Sequence, residues 1–149
     1  MLHPLSSGFS RIFLPTMALT ILLFTLSCST WGKPKNNMND LLLAEQDFIK
    51  AMKWGDYKHA SGWIAPDAKE DFWRNVDRFQ NHLHIMDYDI RDVIFEGGEG
   101  SSIVLLKCRY YFTSDPQLKT KTLRQKWTYG DDPSGWQLQQ HALGELLVQ

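Results

Sequence analysis

Two histidines, His82 and His84, stand two residues apart. On a strand that spacing puts both imidazoles on one face, where they could share a metal ion. Such a site needs three or four ligands, and the rest would have to come from His59, His141 or Asp87, which no local spacing brings together. The pair is therefore read as a polar helix-to-strand junction, and no metal is assigned. Asp87, Asp89 and Asp92 surround Tyr88, and an acid beside a tyrosine could serve as a general base if it sat in a cleft with a shifted pKa. Asp87, Asp89 and His141 run out of phase with the apolar residues of their segments, so the pattern predicts that all three face solvent. Lys107, Arg109, Lys119, Lys121, Arg124 and Lys126 fall on two neighbouring segments and would make a basic stripe if they shared a face. A net charge of −1 favours an ordinary solvated sheet face over a stripe for a polyanion, and it argues against nucleic acid as a partner. Gly97-Gly98-Glu99-Gly100 lacks the Lys-Ser/Thr of a phosphate loop and opens no helix, so it reads as a hairpin turn. There is no Gly-x-Ser-x-Gly, neither cysteine sits in a nucleophile context, and nothing calls for a cofactor.

The two cysteines, Cys28 and Cys108, have different surroundings. Cys108 stands in an alternating apolar run with Val104, Leu106, Tyr110 and Phe112, which predicts a buried core thiol. Cys28 closes a different kind of segment. Residues 12–27 carry no charge and are mostly apolar, behind a lone Arg11. The run is short for a bilayer span of about 20 residues and fits the apolar core of a secretory signal. Thr25-Leu26-Ser27-Cys28 resembles the lipobox of bacterial lipoproteins. That resemblance implies cleavage before Cys28, acylation of its thiol, and no disulfide with Cys108. An uncleaved membrane anchor and a Cys28–Cys108 disulfide are the competing readings. Ser29, where an aspartate would favour inner-membrane retention, implies the outer membrane facing the periplasm. The expected organisation is a signal segment over 1–27, a lipidated cysteine and linker over 28–38, and one domain over 39–149.

The elements that must position these residues follow from hydrophobic period. Leu41, Ala44, Phe48, Ala51 and Met52 recur at helical spacing from a start near Asn39-Asp40, and Gly55 ends that helix. Asp56 opens a short second helix, broken at Ala65-Pro66. Asp67 with Glu70 has the form of a capping box for a third, with Phe72, Val76 and Phe79 along one side. From His84 the period becomes two. Strands are expected over His84–Phe95, with Met86, Tyr88 and Ile90 on one face, and over Ser102–Phe112. Two more are expected over Lys119–Tyr129 and Trp136–Ala142. The fold class is α+β: three N-terminal helices packed on a curved antiparallel sheet of about four strands.

The segment Ala44-Glu45-Gln46-Asp47-Phe48-Ile49-Lys50-Ala51-Met52-Lys53-Trp54-Gly55-Asp56-Tyr57-Lys58-His59-Ala60, with the late Trp127, a turn and Trp136-x-Leu138, resembles the nuclear-transport-factor-like superfamily. This is the cone-shaped fold that also includes ketosteroid isomerase and the SnoaL-like cyclases. The resemblance implies a cone whose open end would take a ligand, and Trp63, Trp73, Tyr110 and Trp127 are the residues expected to line it. No acid or histidine here can be matched to the superfamily's catalytic groups one by one, so the chain is read as non-catalytic. The expectation is an envelope lipoprotein that binds a small apolar ligand or a protein partner, with homodimerisation left open. An enzyme using the cone for proton transfer or hydrolysis, and a structural accessory of an envelope complex, are the alternatives.

Overall fold

The computed structural model describes residues 38–97, 100–131 and 134–148. The expected signal segment, the lipobox-like Thr25–Cys28 stretch and the linker that follows it lie outside the described residues. Helix α1, Met38–Trp54, buries Leu41, Ala44, Glu45, Phe48, Ile49, Ala51 and Met52 along one arc. It ends where Gly55 takes φ +73°, a left-handed conformation that side chains resist. Asp56 then caps α2, Tyr57–Ala60, by accepting the His59 amide at 3.0 Å. A 3₁₀ turn follows over Ser61–Trp63, and Ile64 bridges to Leu138 in parallel.

The proposed capping box does not form. Pro66–Ala68 is a 3₁₀ turn, and α3, Lys69–Phe79, starts behind it with no side-chain cap. Asp67 is thereby freed to meet the sheet. Phe72, Asn75, Val76 and Phe79 are the buried positions of α3.

The sheet is a four-stranded antiparallel meander, β1-β2-β3-β4, with β1 over Leu83–Glu96, β2 over Ser101–Phe112, β3 over Asp115–Asp131 and β4 over Ser134–Gln140. The inward face of β2 is as expected: Val104, Leu106, Cys108, Tyr110 and Phe112 are all buried. On β1 the simple alternation fails. Register shifts between Ile85 and Asp87 and between Ile90 and Asp92 mark bulges at Met86 and Arg91. Each extra residue resets the phase, so Leu83 and Ile85 point inward, Met86 is exposed, and Tyr88, Ile90, Val93 and Phe95 pack against the core.

Register also divides the basic residues. Lys119 pairs with Tyr110 and Lys121 with Cys108, which places both on the core side of the sheet, whereas Arg124 and Lys126 share the outer face with Lys107 and Arg109. The six therefore make no single stripe. Beyond β4, Ala142 sits at φ 54° and turns the chain into a 3₁₀ helix, Leu143–Leu147, whose Leu143 and Leu146 are buried.

Candidate functional site

The interior of the cone is where this architecture would hold a ligand, and here it is filled. Trp127 is fully buried. Its ring meets Phe48 of α1 edge-on at 6.2 Å, and Phe48 in turn meets Phe72 of α3 at 6.5 Å. Leu41, Ile49, Ile64, Leu106, Leu123 and Leu138 close the remaining space. Of the four expected ligand contacts, Tyr110 and Trp127 belong to this core, Trp63 is partly buried and packed against it, and Trp73 is exposed on α3.

One acid lies inside the packing. Glu45 has 0% of its surface exposed. The same end of the buried Gln125 amide lies 2.6 Å from one Glu45 carboxyl oxygen and 3.1 Å from the other, and it receives the Trp127 indole N–H at 3.3 Å. Burial pushes the Glu45 pKa well above the usual carboxylate range, with the Trp127 hydrogen bond opposing it weakly. The neutral acid suits this geometry: an amide oxygen has two lone pairs and can accept both the acid proton and the indole N–H. The ionised form would need the amide turned so that its nitrogen donates to Glu45. Cys108 shares the surroundings. Desolvation first, and the field of Glu45 second, push its thiol up to about 12, consistent with the inert buried thiol expected from its apolar neighbours. Chemically the cluster is a fully buried acid set against the Gln125 amide, the Trp127 indole and the Cys108 thiol.

A second cluster lies at the mouth of a surface cleft of about 570 Å³ bordered by Asp67, Asp71, Asn75, Gln139, His141 and Glu145. His141, expected in solvent, is only 4% exposed. The strand ends at Gln140 and the left-handed turn at Ala142 folds His141 back against Phe72 at 5.8 Å. Its Nδ1 accepts the Leu143 amide at 3.1 Å, and its Nε2 donates to Asp71 at 3.1 Å. Both ring nitrogens are thus engaged, which fixes the neutral tautomer and leaves none for base catalysis or a metal. Desolvation lowers the His141 pKa, against the opposing pull of Asp71. Asp71 also accepts from Asn75 at 3.2 Å. The Gln139 amide, with its nitrogen toward Asp67, donates to both carboxylate oxygens at 3.1 Å.

The remaining candidates are surface pairs. His84 stacks on Tyr111 at 4.9 Å and reaches the Thr113 hydroxyl at 3.1 Å, while His82 precedes β1 in the turn, so the two imidazoles have separate settings. No group of three or more His, Cys, Asp or Glu among the described residues is placed to hold a metal. Asp87 pairs with Arg109 across the β1–β2 ladder, which holds its carboxyl below the usual range. Asp89 pairs with Arg91 at 2.7 Å and Arg124 lies 3.8 Å from Glu96. Asp87, Tyr88, Asp89, Lys107 and Arg109 border a shallow hollow of about 230 Å³ on the outer face. On the helix side, Asp47 accepts from His59 at 2.5 Å and from the Trp63 indole at 2.9 Å, which lowers the Asp47 pKa and raises that of His59.

No family model matches the chain, and no curated protein matches it in sequence. Among solved structures it is similar to a ketosteroid isomerase-like protein from Erwinia carotovora atroseptica, with a TM-score of 0.54 and 9% identity. The match covers 68% of this chain and 89% of that one. At this identity the likeness establishes the fold, an α+β cone, and leaves the chemistry to the residues present.

Proposed function

We propose that the chain is a lipid-anchored, non-catalytic envelope domain that meets a protein partner through the outer face of its sheet. The observation that carries this is the filled interior: Trp127, Phe48 and Phe72 occupy the volume that a ligand-binding or catalytic cone would leave open. On the outer face the pairs Asp87–Arg109 and Asp89–Arg91 stand around Lys107 at a shallow hollow, and Met86 and Ile94 are exposed on β1. The exposed Met86 and the arginines at this face match the enrichment of Met and Arg in protein interfaces, and the charged pairs suit a polar rim. Attachment follows the proposed acylation of Cys28, since two or more acyl chains give stable anchoring where one does not. The test is a photocrosslinking residue in place of Lys107 in living cells, with Asn75, buried at the opposite side of the sheet, as control. A discrete adduct from position 107 alone supports the proposal. No adduct from 107, together with saturable binding of a fluorescent apolar probe by the folded protein, overturns it in favour of an interior ligand.

An enzymatic reading has one observation in its favour, the full burial of Glu45, which pushes its pKa up in the kind of setting where general acids are made. It requires the Phe48–Trp127 packing to open. Broadened or doubled resonances of the Trp127 indole would support such opening; a single sharp, exchange-protected indole signal would exclude it.

A further inference from the structure

Beyond β4 the segment Ala142–Val148 is fastened to the domain by few bonds. Among the described residues its backbone hydrogen bonds run within it, from the Glu145 amide to the Ala142 carbonyl at 3.0 Å and from the Val148 amide to the Glu145 carbonyl at 3.4 Å. Two side chains tie it down. Lys121 of β3 donates to the Glu145 carbonyl at 2.6 Å, and His141 accepts the Leu143 amide on Nδ1 at 3.1 Å. The Leu143 and Leu146 side chains are fully buried, so the segment covers apolar surface that would otherwise meet water. At its root Ala142 is held at φ 54°, a left-handed conformation that a side chain resists. A lightly bonded cover on a strained root is the kind of element that opens locally before the rest of a domain unfolds.

His141 makes one of those two ties conditional on a proton. The neutral ring offers Nδ1 as an acceptor and donates from Nε2 to Asp71. The imidazolium is a donor at both nitrogens. Its Nδ1–H would face the Leu143 N–H, and no rotation of the ring gives that amide an acceptor. The charged groups around the ring are Asp71 on α3, Asp67 on the Pro66–Ala68 turn and Glu145 on the segment itself, with Lys121 of β3 on the Glu145 carbonyl. β4 contributes the uncharged Gln139 and Gln140. The carboxylates favour the charged ring and Lys121 opposes it. Burial prevails over Asp71 and lowers the pKa of the closed form. Opening wets the ring and restores its ordinary value near 6.5, so the open form takes up a proton that the closed form refuses. Acid below that value therefore favours opening, by up to about tenfold per pH unit. We propose that His141 is a proton-operated latch: protonation of its ring releases the segment Ala142–Val148 from α3 and the sheet while the rest of the domain stays folded.

The test is amide hydrogen exchange, read residue by residue by NMR on the full chain in detergent micelles, from about pH 7.5 to about pH 5 and corrected for the intrinsic rate at each pH. The opening equilibrium at the Leu143 and Glu145 amides should rise by about tenfold per unit below pH ~6.5. The β2 amides of Leu106 and Cys108 should keep their protection over the same range. In His141→Gln the side-chain oxygen and nitrogen can take over both bonds without titrating, so the segment amides should show no such rise. The native chain carries the test alone if that variant does not fold. Segment and β2 amides that lose protection in step, or segment protection that stays level with pH, overturns the latch, and so does an equal rise in His141→Gln.

Discussion

Glu45→Gln isolates the buried acid and can be worked through from the structure. The side chain is fully buried against the Gln125 amide, and burial pushes its pKa well above the usual carboxylate range. In the unfolded chain a glutamate ionises near pH 4.3. Above that pH the unfolded state has released a proton that the native state keeps, so wild-type stability falls by about 1.4 kcal/mol per pH unit until the native-state pKa is reached. Glutamine has nearly the same shape, can donate to Gln125, and does not titrate. Below pH ~4 the two proteins should differ by no more than about 1 kcal/mol, the net worth of one altered hydrogen bond. From pH ~5 to ~7 the variant should gain on wild type by about 3 kcal/mol, provided the native pKa lies above that range. Urea unfolding at several pH values measures the difference directly, because the other carboxylates cancel between the two proteins. The pH at which the gap stops growing gives the native pKa of Glu45. Parallel stability curves across the whole range would refute the neutral, buried acid and the packing that creates it.

The thiol of Cys108 should resist alkylation in the folded protein at neutral pH and react at once in denaturant, since its pKa is pushed up to about 12; Cys108→Ser should cost roughly 1–3 kcal/mol by burying an unpaired hydroxyl, and fast native labelling would reverse the facing of β2. His141 has a lowered native pKa, so its contribution is complete above pH ~6.5 and is lost as pH falls below that value, at up to about 1.4 kcal/mol per unit. His141→Gln should flatten that acid limb in the same urea series, and an unchanged slope would contradict the two-sided engagement of the ring. A methyl group added at Gly144 would stand 3.0 Å from the Asn75 side-chain oxygen, so Gly144→Ala should destabilise by about 1–3 kcal/mol through overpacking, read as a lower urea midpoint.

The sequence carried the architecture because the apolar residues keep strict periods: Phe72, Val76 and Phe79 at helical spacing, and Val104 to Phe112 at every second residue. It misled where a single backbone event resets the phase. The bulge at Met86 moves that residue outward, and no residue type announces a bulge of this kind. The division of the basic residues on β3 needed no such event: Lys119 and Lys121 share the parity of Leu123, and Arg124 and Lys126 have the opposite one. The site residues were less legible. Glu45 stands beside Ala44 within the apolar arc of α1, yet a glutamate near a helix start reads as favourable to the dipole. Its position between Leu41 and Phe48 at i+4 and i−3 was the available signal. His141 is buried by the left-handed turn at Ala142 and the 3₁₀ helix beyond it, and a non-glycine residue with positive φ leaves no trace in composition.

The central claim is a packed cone carried on the envelope by lipid at Cys28. Metabolic labelling with a radioactive fatty acid, in cells making either the native chain or Cys28→Ser, tests it most directly. The native chain should carry label and sediment with membranes, and Cys28→Ser should carry none and accumulate as a larger precursor or as released protein. Equal label on both, or no label on either, would contradict the account.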